Sequence, residues 1–266
     1  MTNPILIDTA VNISNGPLQS KVGELLEQGV AMDVKKLIAL GCSIASSEIA
    51  LGHAKNYPGQ IFSTAGIHPH DAKTFNDESL EQLTSLAQAT EVVAIGECGL
   101  DFNRDFSPRP AQLAAFEAQL QLAAELHMPV VMHQRDAHAQ FIDLVAKYRA
   151  QIPHAVIHCF TGTREELEEY LSLDLHVGVT GWICDERRGQ SLRDAVPYIP
   201  SDRLMLETDS PYLIPRDLKP KPKSRNNVPA NLKHIAQVVA SIREEPLEQL
   251  LNNCLNTTNN FFNLPK

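Results

Sequence analysis

Four residues that could bind a divalent metal ion each stand at the end of a short apolar run. The runs are VVAIGE (92–97), VVMH (130–133), AVIH (155–158) and LMLETD (204–209), which end in Glu97, His133, His158 and Asp209. A single histidine at such a place is usually a structural residue, so it is the repetition of the pattern that indicates a functional site. Two imidazoles and two carboxylates suit Zn, Mn or Fe, and also Mg if water completes the shell. A bound cation activates water for hydrolysis, and Asp209 is our candidate for the base that accepts its proton.

Two more polar residues, Asp8 and His68, also end apolar runs. Asp8 has two open interpretations, a functional one and a structural one, because an aspartate after a strand readily caps the next turn. We expect His68 to contact substrate and His70 to hold the loop. Cys98 and Cys159 follow two of the ligand candidates, and neighbouring strand residues face opposite ways. We therefore predict that both thiols pack rather than react.

Two loops have the composition of phosphate-binding segments. The first is CFTGT (159–163), which offers the Thr161 hydroxyl and a flexible Gly162 before a predicted helix N-terminus. The second, called the basic segment below, is RDLKPKPKSR (216–225), in which prolines keep the chain extended. A loop that only improves solubility is the alternative for the basic segment. The residues that we expect to bind substrate, through phosphate contacts in the two loops, are His68, Thr161, Lys219, Lys221, Lys223 and Arg225.

The elements that must position these residues follow from eight apolar runs. They lie at 5–8, 36–40, 62–68, 92–97, 130–133, 155–158, 176–179 and 204–209. Several are continuously apolar, which is typical of parallel strands buried on both faces. Helical patterns separate them, the clearest at 108–127 and 163–171, and a helical region closes the chain at about 230–262.

This alternation predicts an α/β fold, a TIM-type (β/α)8 barrel, formed by a single domain over residues 1–266. In such a barrel the strand ends meet at the face where barrel enzymes carry their active sites. The runner-up is a doubly wound open sheet, but the first loop, in ILIDTAVNIS, lacks the glycine-rich phosphate motif.

Composition predicts a soluble cytoplasmic protein. No apolar run approaches the ~20 residues that span a bilayer, and MTNPILID lacks the features of a signal peptide. Five cysteines without a CxxC pair indicate free thiols in a reducing compartment. The net charge of −9 argues against broad adhesion to nucleic acid, so any such contact must be local.

Long segments also carry a family resemblance. They are STAGIHPHDA (63–72), EVVAIGECGLDF (91–102), MPVVMHQRDAH (128–138), AVIHCFTGTREE (155–166), GWICDERRG (181–189) and LMLETDSPYLIPRDLKPKPKSRN (204–226). In these segments the chain resembles the TatD-type deoxyribonucleases, which belong to the metal-dependent amidohydrolase-like barrels.

The resemblance implies a metal-dependent nuclease that trims single-stranded DNA, or RNA, from 3′ ends, with a role in DNA repair or degradation. It implies that Glu97, His133 and His158 hold the metal and that Asp209 completes the centre, so Glu97 and Asp209 are the catalytic carboxylates. We expect Mg as the cofactor, with Mn or Zn as alternatives. We expect a monomer whose partners are nucleic-acid ends and not membranes.

Two departures from the family pattern limit this expectation. Many relatives have a His-x-His pair after strand 1, where this chain has Ala10 and Asn12. Alanine cannot bind a metal and asparagine is a weak ligand, so we predict one well-occupied metal site and a second that is weak or empty. The second departure is Val228, which replaces the glutamate of an Asn-Glu-Pro motif.

Two other functions stay open at this point. The same barrel and metal could hydrolyse a small amide or ester, as an amidohydrolase or an aminoacyl-tRNA deacylase does. The chain could also be a binding protein that has lost catalysis along with the strand-1 histidines. The basic segment favours the nuclease, because a neutral small substrate would not need it.

Overall fold

The computed structural model describes residues 5–265, in which eight strands alternate with nine α-helices. The strands are β1 Leu6–Val11, β2 Val34–Ala39, β3 Ile61–Ala65, β4 Val92–Asp101, β5 Val130–Arg135, β6 Ala155–Ile157, β7 His176–Val179 and β8 Leu204–Leu206. The helices are α1 Val22–Ala31, α2 Ile44–Asn56, α3 Asp77–Leu86, α4 Arg109–Glu125, α5 His138–Tyr148, α6 Arg164–Ser172, α7 Gln190–Ala195, α8 Leu232–Ile242 and α9 Leu247–Phe262. Among these helices, none is long and apolar enough to cross a membrane.

The strands follow one another in the sheet in the order in which they occur in the chain, from β1 to β8. The pairings of β3 with β4, β4 with β5, β5 with β6 and β7 with β8 are all parallel. A doubly wound sheet would reverse direction at a switch point, whereas sequential order is the topology of a (β/α)8 barrel. The predicted fold class is confirmed and its runner-up is wrong.

Contacts divide the described chain into two compact units. Unit 1 covers residues 5–38, 159–168 and 177–265, and unit 2 covers residues 39–158 and 169–176. Helix α6 contributes residues to both. Residues 1–4 and 266 of the predicted domain lie outside the described residues.

Helix α4 supports the part of unit 2 that carries chemistry. Its Phe116 is fully buried and stacks on Phe141 with ring centroids 5.3 Å apart. Gln119 is also buried, and its amide accepts the Ile67 N–H at 2.8 Å and donates to the Ile67 carbonyl at 3.0 Å. Gln112 holds the Asp101 backbone in the same way. A buried amide costs free energy unless it is paired, so these two glutamines fix the backbone before His68 and at the end of β4.

Strand β1 and the chain after β8 are joined inside unit 1. Asp8 is completely buried within β1 and accepts the Thr208 N–H at 2.8 Å and the Thr208 hydroxyl at 2.5 Å. Asn227 donates its amide to the Thr208 carbonyl at 2.9 Å. Three polar contacts therefore determine the course of the chain immediately before Asp209.

Several strand ends differ from the sequence predictions. β1 continues to Val11, so Asp8 is internal to the strand, and β4 continues to Asp101, so Glu97 is internal as well. His68 and Asp209 instead lie three residues beyond the ends of β3 and β8. The apolar runs were poor markers of strand ends because hydrogen-bonded polar residues can continue a buried strand.

Candidate active site

Glu97 lies at the centre of a group of imidazoles in unit 2. Its side chain is buried, and its Oε1 atom is 3.2 Å from His133 Nδ1, 3.4 Å from His68 Nε2 and 3.8 Å from His158 Nε2. Donor atoms of His68, Glu97 and His133 all lie within 4.8 Å of one another, close enough to share one metal ion. The structure thus brings together Glu97, His133 and His158, which the sequence analysis selected as metal ligands, and His68, which it selected for contact with substrate.

The charges of this group favour metal binding. Burial, the largest influence, would raise the pKa of Glu97, but His68 and His158 nearby and hydrogen bonds from His133 and His68 hold it well below its usual range. Burial lowers the pKa of His68, which keeps that imidazole neutral. An ionised carboxylate beside a neutral imidazole is the state in which these groups bind a cation.

Asp101 is a second buried carboxylate of unit 2 that the sequence analysis did not select. Its Oδ2 atom is 2.8 Å from His70 Nε2 and 3.5 Å from His133 Nε2. Its Oδ1 atom accepts the N–H groups of Asn103 and Arg104. Burial acts to raise the pKa of Asp101, but hydrogen bonds from His133 and His70 hold it far below its usual range. Asp101 therefore stays ionised and lies beside the His133 ring, which also contacts Glu97.

A glycine allows β4 to pass close to His133. Gly99 lies opposite His133 in the parallel pairing and has φ of +143°. A Cβ atom at this position would collide with the His133 carbonyl oxygen. Residues other than glycine rarely adopt this backbone conformation. The glycine in GECGLD is thus required by the approach of the two backbones.

Asp209 belongs to unit 1, where it follows β8. The Asn12 side chain donates an N–H to Asp209 Oδ1 at 2.8 Å, and the Asp209 N–H donates to the Ala10 carbonyl at 3.0 Å. Asn12 and Ala10 are the residues that the family resemblance sets against a histidine pair. In this chain, Asn12 positions a carboxylate.

Glu207 is a further buried carboxylate of unit 1 that the sequence analysis missed. It accepts the Cys159 N–H at 2.5 Å and the Thr9 hydroxyl at 3.3 Å. Gly178 leaves the space for its carboxylate, since a Cβ atom there would lie 2.6 Å from Glu207 Oε1. Asp101 follows Glu97 by four residues within β4, so alternation along that strand could have indicated Asp101. Glu207 lies beyond the end of β8, where alternation gives no such signal.

The predicted substrate-binding residues of unit 1 are all exposed. They are Thr161, Lys219, Lys221, Lys223 and Arg225. Arg216, which opens the basic segment, is instead held by Glu186, with nitrogen–oxygen distances of 3.3 and 3.4 Å. A capping box precedes α6, because Glu166 accepts the Thr163 N–H at 2.9 Å and its own N–H donates to the Thr163 hydroxyl at 3.4 Å.

Comparison with known proteins gives whole-chain matches. The family model described as TatD related DNase matches residues 7–263. The 3′-5′ ssDNA/RNA exonuclease TatD of Edwardsiella piscicida is 47% identical over 259 residues, covering 97% of this chain and 100% of that protein. The protein of the same name from Cronobacter sakazakii is 50% identical over 240 residues, covering 90% of this chain and 91% of its own length.

A solved structure extends the match to three dimensions. The crystal structure of a TatD homologue from Escherichia coli k12 has 28% sequence identity and a TM-score of 0.89, and the match covers 98% of both chains. The structure of a TatD family hydrolase from Entamoeba histolytica has the same fold, with a TM-score of 0.88, 24% identity and coverage of 98% of this chain and 99% of that one. The chain therefore belongs to the TatD-related DNase family.

Proposed function

We propose that this protein is a divalent-metal-dependent 3′–5′ exonuclease that acts on single-stranded DNA or RNA. The observation that carries the proposal is the buried Glu97 carboxylate with three imidazole nitrogens within 3.8 Å of one of its oxygens. An ion-binding centre of this kind gives a barrel enzyme its hydrolytic chemistry. The relatives named as exonucleases, at 47 and 50% identity over nine-tenths or more of the chain, supply the substrate class.

The ligand set that we assign consists of Glu97, His133, His158 and Asp209. The donor chemistry of the described residues fits a divalent cation, because the buried Glu97 carboxylate is ionised and the His68 imidazole beside it is neutral. Burial acts to lower the pKa of His133, but contacts with Asp101 and Glu97 raise it, so this imidazole would release its proton when it binds the cation. When bound, the cation would supply an activated water and would polarise a phosphoryl oxygen. We expect Mg, with Mn or Zn as alternatives, and one well-occupied site, because Ala10 and Asn12 replace two imidazoles.

The chain's own residues would orient one another's side chains and would accept protons during the reaction. Asp209 is our general base, and the hydrogen bond from Asn12 fixes the rotation of its carboxylate. Asp101 holds the ring of His133 through Nε2 while Nδ1 contacts Glu97. His68 adjoins Glu97, and its mostly buried side chain keeps 13% of its surface exposed, which allows contact with the scissile phosphate as well as a share in metal binding.

Recognition of the strand would come from exposed groups of unit 1. In the described chain, Lys219, Lys221, Lys223 and Arg225 are exposed and form no ion pair with a carboxylate, so their charges are available to phosphates. Thr161 offers a hydroxyl just before α6. Together these residues would bind the backbone without reading sequence, as a trimming enzyme requires.

We further propose one domain over residues 1–266, a monomer, and a cytoplasmic role in DNA repair or degradation. The expectation of a reducing compartment rests on five cysteines that are all free thiols in the structure.

The function is tested with metal-stripped protein and oligonucleotides labelled at one end. After Mg, Mn or Zn is added back, a 5′-labelled single strand should give a ladder of shortening products, while a 3′-labelled strand should release its label at once as a mononucleotide. The reverse pattern would contradict the polarity. Hydrolysis of small esters or amides without any cleavage of the strands would contradict the substrate class.

A further inference from the structure

A second group of possible metal ligands lies in unit 1, apart from the residues assigned to catalysis. It consists of Cys184, Asp217 and His234, whose donor atoms lie within 4.8 Å of one another. His234 Nε2 is 2.7 Å from Asp217 Oδ1, and the Cys184 thiol is in hydrogen-bond contact with the same carboxylate. A sulfur, a nitrogen and an oxygen donor thus lie close enough together to share one ion.

The three residues come from elements far apart in the sequence. Cys184 ends a short 3-10 helix, Gly181–Cys184, Asp217 lies in a turn of the basic segment, and His234 is in the first turn of α8. Helix α8 packs on that 3-10 helix, which brings the thiol and the imidazole to the same place. Cys184 is buried while Asp217 is exposed, so an ion could reach the group from solvent.

The competing interpretation is that the Cys184 thiol and the His234 imidazole only donate hydrogen bonds to the Asp217 carboxylate. The combination of donor atoms favours a bound ion over these hydrogen bonds alone. Zinc bonds of about 2.0–2.3 Å to sulfur, nitrogen and oxygen place any two ligands within about 4.4 Å, so only small movements would close the present group around one cation. Burial raises the pKa of the Cys184 thiol, so this group releases its proton to solvent only as the ion binds. The resulting thiolate and the Asp217 carboxylate together carry two negative charges, which match a divalent cation in a half-buried place.

One positive group opposes the binding of a cation. Arg193 lies near Cys184, but its guanidinium is held by the Ile183 carbonyl oxygen at 2.8 Å. That contact gives the arginine a partner of its own, and the two negative ligands outweigh its single charge at the site.

We propose that Cys184, Asp217 and His234 form a second metal site, which binds a zinc-class divalent cation with solvent as the fourth ligand. The site is structural in effect. It fastens the turn that carries Asp217 to α8 and to the 3-10 helix that ends at Cys184, and so holds the start of the basic segment. The inference does not depend on the proposed exonuclease activity, because it concerns other residues and is read out by metal binding alone.

Cobalt titration tests this site directly. Co²⁺ substitutes for Zn²⁺ and gives a sulfur-to-metal charge-transfer absorption only when a thiolate is a ligand. We expect one thiolate-bound Co²⁺ per chain, displaced by Zn²⁺. Because the proposed catalytic centre also takes up a divalent cation, the absorption should be complete by two equivalents of added Co²⁺ per chain. The Cys184→Ser variant should lose it entirely, and His234→Gln should weaken cobalt binding by at least about tenfold.

Two other thiols serve as matched controls. Cys42 lies 3.6 Å from Glu97, and Cys159 follows His158, so either could bind cobalt at the proposed catalytic centre. Cys42→Ser and Cys159→Ser should both keep the absorption. Its absence from the parent protein, its persistence in Cys184→Ser, or its loss in either control would overturn the proposal. If Cys184→Ser does not fold, His234→Gln decides, and unchanged cobalt affinity in that variant rejects the site.

Discussion

Single residues determine the charges in this protein. Glu97 remains ionised in a buried position because imidazoles surround it, and Asp101 does so because His70, His133 and two backbone N–H groups contact it. Asp8 is the contrasting case. Burial raises its pKa to about 8 despite hydrogen bonds from Thr208. Buried carboxylates in one protein thus differ in protonation according to the partners that each one has.

The role of Asp209 can be tested with an isosteric change. Asp209→Asn should keep the fold, because an amide oxygen can still accept the hydrogen bond from Asn12. It should lose turnover by about 10²–10⁴-fold, the usual contribution of a general base. Rates on a labelled strand, with circular dichroism to follow folding, provide the measurement. Activity within a few-fold of the parent would remove Asp209 from the mechanism.

Asp8 should make stability depend on pH. Its pKa is about 8 when folded and about 3.8 when unfolded, so the folded state holds an extra proton between these values. Its contribution is fully present below pH 4 and is lost as the pH rises through 8, at about 1.4 kcal/mol per unit. Relative to Asp8→Asn, the parent should therefore lose stability between pH 5 and 8. Denaturant titrations at several pH values measure this difference, and parallel profiles for the two proteins would refute it.

Strands and helices bring these residues to their places. β4 is the key element, because it carries Glu97 in its interior, Asp101 at its end and Gly99 between them. Helix α4 holds the end of that strand through the buried amide of Gln112. Any change that moves β4 should therefore disturb two carboxylates at once.

A methyl group added to β4 tests how strongly the fold depends on the position of this strand. Gly99→Ala should destabilise the fold by ~3 kcal/mol, because the residue has φ of +143° and its Cβ would collide with the His133 carbonyl. The matched control is Gly52→Ala in α2, where a Cβ meets no atom within 4 Å. The control should gain up to about 1 kcal/mol from helix propensity. Equal effects of the two changes in thermal unfolding would show that β4 tolerates displacement.

The elements themselves could be predicted well from sequence, but their ends could not. Parallel strands buried on both faces leave continuous apolar runs, and α4 was located to within two residues at each end. The end of β4 was missed because Asp101 is buried yet paired with His70, and sequence does not display that contact. Glu207 escaped notice for the same reason, since its partner is the backbone N–H of Cys159. The metal-ligand candidates of unit 2 could be selected from sequence because Glu97, His133 and His158 each end an apolar run.

The whole molecule is acidic, with a net charge of −9, so attraction to nucleic acid has to be local. Replacing Lys219, Lys221 and Lys223 by alanine should weaken oligonucleotide binding. It should also flatten the slope of log K against log salt by up to about 2, since each phosphate contact on a single strand contributes about 0.7. Binding isotherms at several salt concentrations provide the measurement.

A charge-matched control separates local contacts from net charge. Lys21, Lys55 and Lys147 are exposed lysines outside the basic segment, and their replacement by alanine changes the net charge equally. This control should keep the parent slope. If the two triple variants behave alike, the basic segment has no special role.

The central claim is that one metal ion, bound through Glu97, makes this protein a nuclease. The most direct measurement titrates metal-stripped protein with Mn²⁺ while both bound manganese and cleavage of a 5′-labelled single strand are followed. Mn²⁺ is suitable because it favours carboxylate and imidazole over thiolate. We predict that cleavage saturates as one Mn²⁺ binds per chain, and that Glu97→Gln loses both the tight binding and the cleavage. Cleavage without metal, or a Glu97→Gln variant that binds manganese and cuts as the parent does, would contradict the account.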